Sequence, residues 1–431
     1  MGPAPDAPEG TDPDRADGPT TREDTVSPRR LNRLVGSSAF ANLGDGIAKV
    51  AFPLLAVQVT QDPLLIAGLS AAQFLPWLLF GVLAGTLLDR VDRRAAVVVA
   101  NTVRAAVVGL LALLVHLDAT SIWLVYVAAL LVGTAETVAD SATNVLIPSV
   151  VERSGLAGAN SKLQAAEIVG QTFLGGPVGS LTFAVFAAFP FLIDSVAFAL
   201  GAVLLAALPG NYRPERDRAD LTSATAGVRA DIVRGLRWVR GHPVMGRLVL
   251  VVGLVSLVSE MAQAQLVLYA IKDLGLSEAA FGVFGFAGGI GGLLGAAVAS
   301  RLIDRLGNTA TLTLSLVTSG AAFLAMGLVK VPVLSGALFG LFAAAVVVVN
   351  VLLATARHTL VPEELLGRVI GVWRTVAWGA LPVGALLGGA TTRVLGSASA
   401  TFVLSGAGLL LVALVAWGAV RAHDLTPARH S

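Results

Sequence analysis

The 431-residue chain contains no cysteine. Disulfides, thiolate metal sites and cysteine nucleophiles are therefore excluded, and the redox compartment leaves no mark on the composition. Charge is also scarce: Asp, Glu, Lys and Arg make up 13% of residues, about half the share usual in a soluble domain. Scarce charge on a chain that is 55% hydrophobic, with mean hydropathy +0.79, excludes a soluble enzyme and a wholly disordered chain alike. Tyrosine occurs three times against 47 glycines, a balance that fits membrane helices whose small residues let backbones approach. The five histidines (His116, His242, His358, His423, His430) are scattered, with no HExxH pair and no phosphate loop. An embedded enzyme is disfavoured accordingly. No catalytic residue, metal, cofactor or nucleic-acid partner is assigned.

What is present is a succession of apolar stretches. Residues 1–33 are rich in Pro, Asp and Gly and contain no apolar run. They read as a disordered cytoplasmic tail, without the basic start and apolar core of a secretory signal. Twelve spans follow, at about 34–59, 64–86, 95–116, 122–146, 161–186, 190–208, 247–270, 279–299, 309–329, 333–355, 370–392 and 399–420, most near the ~20 residues that cross a bilayer. Placing the N-terminus inside puts 24 of the 30 Lys and Arg residues in cytoplasmic segments and only Lys272, Lys330 and Arg393 outside. That bias predicts both termini in the cytoplasm.

The polar stretch 210–246 divides the spans six and six. It reads as a cytoplasmic linker between an N-terminal bundle, 34–209, and a C-terminal bundle, 247–420, with 421–431 as a second tail. Residues 235–240 within the linker suit a short amphipathic helix on the inner leaflet, with Trp238 at headgroup level. The bundles echo each other in sequence. Leu88-Asp89-Arg90-Val91 is matched by Ile303-Asp304-Arg305-Leu306, and Val145-Leu146-Ile147-Pro148 by Thr359-Leu360-Val361-Pro362, at offsets of 215 and 214 residues. Parallel six-span repeats of this kind are a transporter plan, in which a cleft opens to one side and then to the other.

The loop after the second span carries Gly81, Gly85, Asp89, Arg90, Arg93 and Arg94. It resembles the loop between spans two and three of the major facilitator superfamily, with Asp92 in place of that pattern's second glycine. Gly44-Asp45 in the first span and the segment Val361 to Val369 are similar to the branch of macrolide, tetracycline and siderophore exporters. Gly175-Gly176-Pro177-Val178-Gly179 resembles a shortened form of the Gly-Pro motif of drug/proton antiporters. The resemblance covers about residues 31–420 and implies an all-α membrane fold of twelve helices in two parallel repeats. In physical terms, the arginine cluster is held inside by its charge, and it can latch and release the two halves. Asp304 and Arg305 are its second-half counterpart. The small-residue pairs Gly288/Gly292 and Gly291/Gly295 predict close helix packing rather than a nucleotide loop.

Ionisable residues inside spans cost about 2.5–3.5 kcal/mol each on insertion scales, so each asks for a reason. Asp45 and Lys49 are four apart and share a helical face, which predicts an internal ion pair. Glu136 and Asp140 are also four apart, but two carboxylates on one dry face cannot both ionise cheaply, which suits them to hold and release a proton. Arg104 in span three is placed to neutralise one of them. Glu167 lies in span five, and Glu260 stands alone near mid-depth in span seven as a cation- or proton-binding candidate. Asp194 and Arg374 read as capping or surface charges near span ends.

These features predict a monomeric, multi-pass protein of a bacterial inner membrane that exports hydrophobic or amphipathic small molecules in exchange for protons. The candidate coupling or substrate residues are Asp45, Lys49, Arg104, Glu136, Asp140 and Glu260. The alternatives are a facilitator or importer of a small metabolite, and a non-transporting sensor with the same fold.

Overall fold

The structure, a computed structural model, describes residues 2, 28–88, 91–151, 155–210, 212 and 224–421. Residues 3–27 and 422–431 of the two tails lie outside these residues, whereas 28–33, expected to be disordered, are helical. The described chain is helical throughout, with no strand. In chain order the helices are α1 (Pro28–Val59), α2 (Pro63–Leu88), α3 (Arg93–His116), α4 (Ile122–Val150), α5 (Leu156–Val185), α6 (Phe189–Ala206), α7 (Ala224–Gly241), α8 (Pro243–Asp273), α9 (Glu278–Leu328), α10 (Pro332–Leu360), α11 (Glu363–Leu395) and α12 (Ala398–Arg421). Among the described residues ten of these are long and apolar enough to cross a membrane, and α2 contributes a shorter apolar stretch, Pro63–Leu79.

Helix ends fall where local chemistry favours them. Pro28, Pro63, Pro243 and Pro332 open helices, at a position where the missing N–H costs nothing. Asp92 caps α3 by accepting from Ala95 N at 2.9 Å, and Ser121 and Ser277 cap α4 and α9 in the same way. Gly396 closes α11 in the left-handed region, φ 71°, where a side chain is disfavoured. Helix α1 starts at Pro28 rather than at 34. The linker helix α7 spans 18 residues, not the six of 235–240. Helix α9 runs for 51 residues but breaks at Gly307, φ 77°, ψ 167°, within the predicted break after span eight.

Two helices depart from α geometry. In α5, Ile168–Gly175 forms a wide π segment just before Pro177. Proline has no N–H and crowds the carbonyl four residues back, and a π turn relieves that crowding. In α8, regular helix ends at Gln263 and a second π segment, Tyr269–Asp273, follows.

Helix α1 packs against α2, α4, α5 and α6, which is why Gly44 to Ala48 are buried without interruption. Glycines Gly170, Gly175 and Gly179 let α5 lie directly on the α1 backbone. In the second half Gly288, Gly291 and Gly295 bring α9 against α10, with Gly291 and Gly295 facing the backbone of Gly340 and Ala344, as the small-residue spacing predicts. Its core holds a stack of Phe323 on Phe342 at 4.0 Å between ring centres, with Phe402 edge-on at 5.2 Å. The two halves meet along α2 with α11 and α5 with α9. At the end of the bundle away from the chain termini they are joined. There Asp62 pairs with Arg393 at 3.6 Å, Gln58 Nε2 donates to Glu278 Oε1 at 3.1 Å, and Gln265 Nε2 donates to Pro63 O at 3.4 Å.

Candidate functional site

Toward the other end the halves part around a cavity of about 580 Å³. The first half lines most of it, with Asn42, Asp140, Asn144, Gln164, Glu167 and Gln171 supplying polar groups. The second half contributes Gly371, Arg374, Thr375 and Trp378 from α11. Trp77 of α2 meets Trp378 edge to face at 5.2 Å, and the Arg374 guanidinium lies 4.7 Å from the Trp378 ring centre. One wall is thus acidic and amide-rich. The facing wall is aromatic and carries a single cation.

The π segment of α5 turns Gln171 into this space. Lys49 Nζ donates to Gln171 Oε1 at 2.5 Å, Gln171 Nε2 donates to Asn42 Oδ1 at 2.7 Å, and Asn42 Nδ2 donates to Ser38 O at 2.8 Å. This chain of amides bridges α5 and α1 along the cavity wall. The ion pair expected between Asp45 and Lys49 is not formed. The two side chains diverge because α1 is packed on several sides, and Lys49 finds the amide while Asp45 turns inward.

Asp45 pairs with Arg104 of α3 instead. Both are buried, at 6% and 1% exposure. The Arg104 guanidinium also lies 3.8 Å from the Phe198 ring centre and reaches Asn101 Oδ1 at 3.4 Å. Asp194 of α6 belongs to the same cluster. It is fully buried rather than a capping or surface charge, because this face of α6 packs on α1, where Gly44 leaves room for its carboxyl. Glu136, Asp140 and Asp194 all act electrostatically on Arg104. A recess of about 40 Å³ bordered by Asp45, Asn101, Arg104 and Asp140 shares Ser38, Asn42, Asp140 and Thr143 with the large cavity. Asp140 therefore faces open space on one side and the buried cluster on the other.

The remaining candidates divide. Glu136 is half-buried on α4 and does not line the cavity. Glu260 is 6% exposed in α8, packed against Gly384 of α11, and also lies outside the cavity lining. Glu167 lines the cavity and accepts from Gln164 Nε2 at 3.3 Å. Arg374, read as a surface charge, lines the cavity from the twelfth position of α11.

In the loop motif, Asp89 and Arg90 lie outside the described residues, while Gly81 and Gly85 fall in α2. Arg94 Nη1 donates to Leu208 O at 2.5 Å, and Arg33 donates to Ala207 O, so two cations cap the carbonyl end of α6. Arg93 N donates to Tyr212 O at 3.4 Å, and Asp92 Oδ2 accepts from Tyr212 N at 3.4 Å. Burial raises the Tyr212 phenol above its ordinary range, which keeps its hydroxyl a donor to Pro209 O. These contacts all stay within the first half. Asp304 and Arg305 are exposed on α9 just before the break at Gly307. Among the described residues no cluster of three or more His, Asp or Glu is arranged to hold a metal ion.

A family profile described as Major Facilitator Superfamily matches residues 34–377 and 248–430. The multidrug efflux pump Tap of Mycolicibacterium fortuitum is 30% identical over 397 residues, covering 89% of this chain and 94% of that protein. The multidrug efflux pump Tap of Mycobacterium tuberculosis is 29% identical over 409 residues, covering 91% and 94%. Among solved structures, the nucleoside transporter NupG superposes with a TM-score of 0.71 at 12% identity, covering 91% of this chain and 98% of that one. A bacterial homologue of the iron transporter ferroportin, in an inward-facing state, gives 0.70 at 16% identity, covering 91% and 98%. At such identities the likeness is one of fold.

Proposed function

The chain belongs to the major facilitator superfamily, and on that premise we propose that it exports amphipathic small molecules in exchange for protons by alternating access. Membership makes it a multi-pass transporter of the bacterial inner membrane rather than an enzyme. We read twelve spans in two parallel bundles, 34–209 and 247–420, joined by the linker 210–246. Helix α2 supplies one span. Helix α9 supplies two, since 51 residues at 1.5 Å each give about 76 Å, more than twice the ~30 Å hydrocarbon core. With both termini cytoplasmic, the joined end of the bundle faces outward and the cavity opens inward. The protein is taken as a monomer in the bilayer.

The observation that carries this reading is Asp140, which borders both the inter-half cavity and the recess leading to Asp45 and Arg104. Embedded ionisable groups are expensive and therefore rare where no function retains them. A carboxyl that meets both cargo space and a buried ion pair is placed to link the two. Polar lining, two carboxylates and a tryptophan pair favour a cargo with a charged or hydrogen-bonding end and an aromatic or apolar body. One proton entering yields about 2.3 kcal/mol per 100 mV, enough for a gradient of about 40-fold in a neutral substrate.

The test is proton movement in sealed proteoliposomes with an internal pH dye, challenged with lipophilic cations, macrolides, tetracyclines and siderophores. A substrate-dependent pH change abolished by a protonophore is expected. Transport of a compound with no accompanying proton flux would overturn the coupling and leave a facilitator.

A further inference from the structure

The strongest unassigned feature is Asp194. It is fully buried, and among the described residues neither carboxyl oxygen has a hydrogen-bond partner. Helix α1 leaves room for it with a glycine: a Cβ on Gly44 would overlap Asp194 Oδ1 and the Phe198 ring. The charged groups that act on it are Arg104 from α3 and Glu136 from α4, and Arg104 in turn meets Asp45 from α1 and feels Asp140 from α4. Arg104 is engaged by Asp45 and covered by Phe198, yet its Nε is buried without a partner. A guanidinium with an unused donor therefore sits beside a carboxyl with two unused acceptors.

We propose, building on the proton-exchange reading above, that Asp45, Arg104 and Asp194 form a one-proton store in which Arg104 exchanges between the two aspartates. A dry site tolerates a buried charge only when it is paired. One guanidinium balances one carboxylate, so the cluster is neutral with a single proton on board. With Arg104 on Asp45, that proton resides on Asp194. When Arg104 turns to Asp194, the proton resides on Asp45, which borders the recess shared with Asp140. The guanidinium stays protonated throughout, and the proton alone passes between the carboxyls. Because Asp45 lies on α1 and Asp194 on α6, the exchange changes how these two helices are tied through α3. Asp194 is thus a positioning residue for the coupling step, not a cargo contact.

Two readouts test the store. In reconstituted protein, the infrared difference spectrum of wild type minus Asp194→Asn shows one protonated carboxylic acid band lost, over whatever the other embedded carboxyls contribute to both. Asp45→Asn loses the same component, because Arg104 then serves Asp194 alone and no proton is needed. A difference spectrum without that loss in either variant overturns the proposal, and Asp45→Asn keeps the test open where Asp194→Asn fails to fold. In proteoliposomes with ethidium and tetracycline as probes, Asp194→Asn keeps downhill exchange within about threefold. It loses the proton-driven accumulation of about 40-fold per 100 mV. Intact accumulation in Asp194→Asn alongside its loss in Asp140→Asn sinks the store but leaves proton exchange standing. Probe transport by wild type with no proton dependence sinks the exchange reading itself.

Discussion

The two halves share a frame and differ in what they bury. Asp45 and Glu260 stand 215 residues apart, the offset that separates Asp89 from Asp304. In the first half the carboxylate meets Arg104. At the same offset the second half has Ser319, whose hydroxyl donates to Ser315 O at 2.9 Å within its own helix. Nor does α12 carry a charged side chain before Arg421, where α6 carries Asp194. Both halves bury phenylalanines, Phe52, Phe191 and Phe198 in the first and Phe323, Phe342 and Phe402 in the second. What differs is the cation: the buried arginine and its aspartates lie in the first half, whereas Glu260 is buried in the second with no arginine at the matching position, and the second half offers the cavity Trp378 and Arg374.

The largest expected effect is at the arginine itself. Arg104→Ala leaves Asp45 and Asp194 buried without a cation and lowers stability by about 3–5 kcal/mol, read as the thermal midpoint in detergent. Its counterpart Ser319→Ala costs under about 1 kcal/mol. Equal losses would break the asymmetry. The carboxylates give the next contrast: Asp140→Asn abolishes proton-driven accumulation, about 40-fold per 100 mV. Glu260→Gln, away from the cavity, reduces it by less than about threefold, measured in the same vesicles. A larger loss in Glu260→Gln would return the second half to the coupling chemistry.

The shared frame makes a complementary prediction. Gly175→Ala pushes into the α1 backbone and Gly291→Ala into that of α10, so each destabilises its half by a similar amount, about 1–3 kcal/mol. A thermal shift in one variant alone would show that the repeats pack by different rules. The smallest effect is at the joined end. Arg393→Ala removes an ion pair whose arginine is 60% exposed, and exposed pairs are worth about 0.2–1 kcal/mol. Cross-linking of cysteines introduced near residues 62 and 393 of otherwise cysteine-free protein should shift accordingly by less than about fivefold toward the parted state.

Much of this was legible in the chain. Low charge and apolar runs of bilayer length predict an all-helical membrane fold, as observed. The small-residue spacing in α9 predicts its close approach to α10, because packing between membrane helices depends on side-chain size along one face. The loop motif points to the superfamily. Asp45, Arg104 and Asp140 announce themselves as charges where charge is costly. Asp194 carried the same signal, but its place one turn into the helix made it look terminal, and only the packing of α6 on α1 buries it.

Pairing was a different matter. Spacing along α1 put Lys49 beside Asp45, whereas packing turned Asp45 to Arg104 and left Lys49 on Gln171. Helical periodicity fixes which residues share a face within one helix, but not which neighbouring helix that face meets. The sequence by itself determined the all-helical, membrane-spanning character and the presence of charge in apolar segments. Only the tertiary structure decided the partners, since α1, α3 and α6 are far apart in the chain and come together through burial. The cavity between the halves has the same origin: its walls are lined by Ser38 to Gln171 on one side and Gly371 to Trp378 on the other, segments distant in the chain that only packing brings face to face.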